Sequence, residues 1–195
     1  MRHTALTVIQ DEHQALAAML RSMVLLVSQA RRDGKTPDFG VLRAMLFYVD
    51  EFPERRHHPK ETALLFPRVR ERCPTLAATM DQLDRDHDHG EAAVRGLAHA
   101  LLAWEVLGEP RRAAFEQALD RYVHAYLKHM AVEESEILPA ARQHLTEADW
   151  AILDAAFAEN RDPLAGHAPK DAPGDEYGPL FQRILNSAPA PIGLG

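Results

Sequence analysis

At 195 residues, with 46% hydrophobic and 26% charged side chains, the chain has the makeup of one globular domain with a sizeable core. A net charge of −7 without a basic stripe argues against a nucleic-acid partner, and the single Cys73 rules out an internal disulfide. No apolar run approaches the ~20 residues of a membrane span, and no basic region leads into an apolar core near Met1, so a cytoplasmic chain without a membrane partner is expected.

The first predicted helix covers about Thr4 to Arg32. Leu6, Ile9, His13, Leu16, Leu20, Met23 and Val27 follow steps of three and four, the mark of one buried stripe. His13 is an imidazole in an otherwise aliphatic row. Asp33-Gly34 and Pro37 end the helix. The second begins near Asp38, a plausible N-cap, turns Leu42, Leu46 and Val49 inward, and stops at Arg72-Cys73-Pro74. Pro53 and Pro59 interrupt it, so it either bends there or restarts.

Pro74 opens the third helix, which runs to about Leu107 with the stripe Leu76, Met80, Leu83, His87, Gly90, Val94, Leu97 and Leu101. Gly108-Glu109-Pro110 is a turn. The fourth helix, from Pro110 to about His144, presents Phe115, Leu119, Tyr122, Tyr126, His129 and Glu133. Arg31-Arg32 and Arg111-Arg112 fall at helix ends and read as solvated caps. A short fifth helix is opened by Thr146 with Asp149, a variant capping box, and ends near Asn160. The expected architecture is all-α: an up-down-up-down four-helix bundle with a short fifth helix over residues 1–160, then an irregular C-terminal tail over 161–195 that docks one turn of helix at Leu180 to Leu185.

One stretch repeats. HHPKETALLFP, from His57 to Pro67, is echoed by HMAVEESEILP, from His129 to Pro139. In each, a Glu follows the His by four residues, and a Pro follows the Glu by six. Positions i and i+4 share a helix face, so each copy aims an imidazole and a carboxylate the same way. His87 and Glu91 repeat the spacing on the third helix. A single His on an apolar stripe is ordinarily a hydrogen-bonded core residue. A buried carboxylate differs, because leaving it ionised without a partner costs several kcal/mol. No Lys or Arg shares these stripes, so a multivalent cation is the expected neutraliser.

Imidazole plus carboxylate without thiolate suits iron or manganese and tolerates zinc. The candidate ligands are His13, His57, Glu61, His87, Glu91, His129 and Glu133, too many for one tetrahedral ion. They suit a pair of ions about 3.5–4 Å apart, bridged by Glu61 and Glu133. His13 and His57 would complete one ion; His87, Glu91 and His129 would complete the other. His58 points elsewhere on a regular helix, as an outer hydrogen-bond donor or a surface residue. His89 reads as solvated, and His124 as packed at a helix boundary. Tyr48, Tyr122 and Tyr126 read as core tyrosines with satisfied hydroxyls, although each could approach a bound ligand.

His13 in its Asp-Glu-His context, His57-His58-Pro59-Lys60-Glu61 leading to Leu65-Phe66-Pro67, His87, and His129 with Glu133 resemble the hemerythrin-like (HHE cation-binding) domains over about residues 7–145. The resemblance implies a non-haem centre of two iron ions, oxo- or hydroxo-bridged, with manganese or zinc as substitutes, that meets O2, nitric oxide or peroxide or handles iron. Oxygen-carrying members have a histidine where this chain has Glu91, which favours sensing, nitric oxide or peroxide chemistry, or iron handling over reversible O2 carriage. The alternatives are an enzyme on the same bundle or a purely structural bundle whose His and Glu satisfy one another. The enzyme would be an oxidase or peroxidase or, from His87-Asp88, a phosphohydrolase, although no phosphate-holding cation falls on the stripes.

Overall fold

The structure is a computed structural model that describes residues 3–166 and 177–193; the remainder of the expected tail, 167–176 and 194–195, lies outside the described residues. Every regular element described is helical. The first helix, α1 (Thr4–Arg32), buries the whole predicted stripe, His13 included.

The second helical rod does not restart at its prolines. It begins as α2 (Phe39–Val49), capped by the Asp38 side chain accepting from the Val41 N–H at 3.0 Å. It continues through a π-helical stretch (Asp50–His57), α3 (His58–Lys60), a second π turn (Glu61–Leu65) and α4 (Phe66–Arg72). A proline has no N–H, and its ring crowds the carbonyl four residues back. The residue before the proline answers by reaching one residue further. The His58 N–H bonds to Pro53 O, and the Phe66 N–H to Glu61 O. The same device follows α6 (Arg112–Val132), where the Leu138 N–H closes a π turn (Glu133–Ile137) on Glu133 O before α7 (Leu138–His144). Such single widened turns are frequent at functional sites, and here Glu61 and Glu133 each open one.

Between these rods runs α5 (Ala77–Leu107), preceded by a 3₁₀ turn at Pro74–Leu76 and ended by Gly108, whose φ of 80° suits glycine alone. The capping box at Thr146 is present and opens α8 (Glu147–Phe157), which lies on α1. The tail is more regular than expected. It forms α9 (Gly178–Ser187), because Pro179 starts the helix and Phe181 and Ile184 find a buried face against α2. The Ser22 hydroxyl then donates to Pro189 O at 2.9 Å, fixing the chain beyond it.

The rods pack in a ring: α1 against α2, α2 against α5, α5 against α6, and α6 against α1. The core is in two parts. One apolar cluster gathers Leu16, Met23, Tyr48, Phe52, Val94, Leu97 and Tyr126. The other gathers Ile9, Leu65, Met80, Leu83, Ile137 and Trp150. On each rod the step from one cluster to the other is made across a histidine or glutamate, so a polar layer separates two dry ones. No helix among the described residues is long and apolar enough to cross a membrane.

Candidate metal centre

The polar layer collects His13 from α1, His57, His58 and Glu61 from the second rod, His87 from α5, and His129 and Glu133 from the fourth rod. His13, His57, His58 and His129 are each 4% exposed, Glu61 0% and Glu133 1%. One ligand atom from each of His13, His57 and Glu61 lies within 4.8 Å of the others, and the same holds for His58, Glu61, His87 and His129. Glu61 belongs to both groups. Glu133 also spans them, with Oε2 3.3 Å from His13 Nε2 and Oε1 3.3 Å from His129 Nε2.

The imidazoles are oriented alike. Nε2 of His57 faces Glu61 at 3.1 Å, and Nε2 of His87 lies 3.5 Å from Glu61 and 3.0 Å from Nε2 of His129. Four of the five Nδ1 atoms, all but that of His129, face an outer oxygen within hydrogen-bond distance. His57 Nδ1 meets Glu12 at 2.6 Å, His13 Nδ1 meets Glu134 at 3.1 Å, His58 Nδ1 meets Glu54 at 3.1 Å, and His87 Nδ1 meets the Thr62 hydroxyl at 2.8 Å. An outer acceptor on Nδ1 keeps the proton there and leaves the Nε2 lone pair pointing inward, as metal-binding histidines require. These partners are themselves held. The Asn160 amide donates to Glu12 at 2.8 Å, and the hydroxyls of Tyr122 (3.0 Å) and Tyr126 donate to Glu54.

Inside this ring both oxygens of Glu61, both of Glu133, and His57 Nε2 are buried without a hydrogen-bond partner. Buried polar atoms are ordinarily paired, and here the convergent unpaired atoms are all Lewis bases. Nitrogen and oxygen donors without thiolate fit iron, manganese or zinc. The residues therefore fit a cation.

The proton affinities show the same imbalance. Burial alone would lower His13, but Glu133 and Glu134 hold it up at about 9. His57 and His129 are likewise raised despite burial, by Glu61 with Glu12 and by Glu133. Burial and the Glu133 charge push Glu61 up, whereas His129 and His13 hold Glu133 down against its own burial. Burial and neighbouring imidazoles push His58 down and His87 down to about 3, which leaves both neutral and able to donate a lone pair. In this layer protons stand where a cation would.

Six of the seven expected ligands meet in the layer. Glu91 does not. It lies on the exposed face of α5, paired with Arg95 one turn on. The inward line of the helix passes from His87 to Gly90, turning the next residue to solvent. Gly90 opens room for the groups just outside the cluster: a Cβ there would stand 2.5 Å from Tyr126 Oη and 2.6 Å from Glu54 Oε2. His58, expected outside the cluster, faces it; the widened turn before it brings two successive histidines onto the inward arc, with rings 5.5 Å apart. The sequence held a signal for this, since Glu54 precedes His58 by the same four residues that separate His57 from Glu61. His89 is at the surface as expected, whereas His124 is exposed in the middle of α6 rather than packed at a boundary. The Tyr48 hydroxyl donates to Asp162 at 2.6 Å, a satisfied core phenol.

Comparison with curated proteins returned no match. The family model for the Hemerythrin HHE cation binding domain matches residues 4–141, a span that takes in every residue of the inner cluster. The chain belongs to the hemerythrin HHE cation-binding family, whose members bind metal ions, typically iron.

Proposed function

We propose that the chain is a non-haem di-iron protein, built on an up-down-up-down four-helix bundle, that binds or senses a small ligand such as O2, nitric oxide or peroxide. The observation that carries this reading is Glu61, fully buried with neither oxygen in a hydrogen bond and shared by the two histidine groups. His13 and His57 would hold one ion and His58, His87 and His129 the other, with Glu61 and Glu133 common to both. The iron pair, when bound, supplies the electrons and the open coordination that a small ligand meets. Glu12, Glu134, Glu54 and Thr62 keep the histidine protons on Nδ1, and the two apolar clusters exclude bulk water above and below the layer.

The expected objection to reversible O2 binding was a carboxylate at position 91. Glu91 lies at the surface and His58 faces the layer, so an imidazole rather than a carboxylate is on offer to the second ion, which supports small-ligand binding. The test is an anaerobic titration of the reduced, iron-loaded protein with O2 and with nitric oxide, followed by absorption and electron paramagnetic resonance. Saturable spectral change at one ligand per iron pair is expected. An unchanged spectrum in a fully loaded protein would overturn the reading.

A further inference from the structure

The two sides of the polar layer differ in access. On the His13 and His57 side the free space beside Glu12 and Asp162 is only about 10 Å³, at most one water. On the His87 and His129 side a groove of about 480 Å³ opens between α5 and α6. That lies within the ~300–1,000 Å³ of small-molecule sites and is over ten times the ~30 Å³ share of one water. A diatomic ligand does not need it. The groove exists because Ala93 and Gly96 on α5 face Ala118 and Ala125 on α6.

Its walls reach the metal-facing histidines. His129 lines it, buried, with Nδ1 unpartnered and the nearest carboxylate oxygen, on Asp86, 3.6 Å away. Tyr122 and Tyr126 also line it, 5% and 6% exposed, with ring centroids 4.6 Å apart. Both phenols give their protons to Glu54 Oε1, so the oxygens they retain can only accept. A ligand satisfying them must donate a hydrogen bond. At the rim, Asp86 and Arg121 carry opposite charges, so neither sign is favoured. A second groove touching His129 is ringed by Gln82, Lys128 and Glu136, walls that water satisfies.

We propose that the α5–α6 groove binds an uncharged hydroxylated aromatic molecule of one or two rings, its hydroxyl donating to Tyr126 beside the His87 and His129 side of the centre. This rests on the di-iron reading for the role of the centre, but the groove is testable apart from it. The probe is 2-naphthol, with naphthalene as its counterpart lacking the donor. Binding to the full-length, iron-loaded protein is followed by calorimetry and naphthol fluorescence, with metal content measured on the same sample.

One molecule of 2-naphthol per chain is expected, binding about fivefold tighter than naphthalene, the worth of one hydrogen bond. Tyr126→Phe should remove that difference. Ala93→Phe, on an exposed wall position, should weaken both ligands at least tenfold at unchanged metal content and helicity, and Ala125→Phe should do the same from the facing helix. Binding that ignores both plugs, or a loaded protein that binds no naphthol, overturns the groove and leaves the di-iron reading standing. Plug-sensitive binding by protein that takes up no metal supports the groove and overturns the di-iron reading.

Discussion

Glu61→Gln should change stability in opposite directions with and without metal. Glu61 is 0% exposed and shares its space with Glu133. Without a cation, the two carboxylates are balanced only by protons on the surrounding imidazoles. A neutral isostere removes a charge that burial and Glu133 both disfavour, and relief of such an uncompensated buried group is worth about 1–3 kcal/mol. At about 2–4 °C per kcal/mol for a domain of this size, the metal-free variant should melt roughly 2–12 °C above metal-free wild type. With metal the order reverses. A cation at about 100 times its dissociation constant stabilises wild type by about 2.7 kcal/mol, so a chelator should lower its melting temperature by about 5–11 °C. The variant, lacking the shared carboxylate, should shift by less than about 2 °C. Calorimetric melts with and without chelator, with metal content measured in parallel, decide it. A variant that melts below metal-free wild type and keeps the full chelator shift would refute the reasoning.

Glu91→Ala should leave metal content unchanged and stability within about 0.5 kcal/mol, since an exposed ion pair contributes little; loss of an ion per chain would place Glu91 in the site after all. Gly90→Ala, which on a bare helix would stabilise by about 1 kcal/mol, should lower the melting temperature, because the methyl meets Tyr126 and Glu54 at 2.5 and 2.6 Å. An unchanged melting temperature would show that packing there is loose. Burial raises Asp162 from 3.8 to about 6, so the folded state keeps a proton that the unfolded chain gives up. Its stabilising contribution is present below pH 4 and is lost as pH rises to 6, a change of about 3 kcal/mol in wild type relative to Asp162→Asn. Urea unfolding of both proteins across pH 4–7 measures it, and parallel profiles would contradict the assignment.

The helices and the inner layer were readable because a bundle encodes both in one period. Steps of three and four placed Leu6 to Val27 on one face, and the same count exposed His13, His57, His87 and His129 as the positions where apolar side chains gave way. Counting failed where the period itself changed. The π turns around Pro53 and Pro59 bring His58 inward, which no steady 100° rotation shows. The spacing from His87 points to Glu91, but four residues in a helix is 40° past a full turn, enough beside a small Gly90 to put it in water. Apart from Glu54, which lies four residues before His58 on the same rod, the outer partners depend on contacts between elements. Asn160 reaches Glu12 from the end of α8, across 148 positions of sequence, and only the folded chain brings them together. In the tail the prolines and glycines leave one docking helical turn legible at Leu180 to Leu185, and with Pro179 at its start and Phe181 and Ile184 buried it extends to the whole of α9.

Metal is what should hold this buried layer together. Purification from iron-replete cells, followed by metal analysis and an absorption spectrum of the same sample, tests it most directly. Two iron ions per chain with near-ultraviolet charge-transfer absorption, both lost in a His57→Ala, Glu133→Ala double variant, are the predicted result. Well under one ion per chain, or a metal content that the double variant leaves untouched, would contradict it.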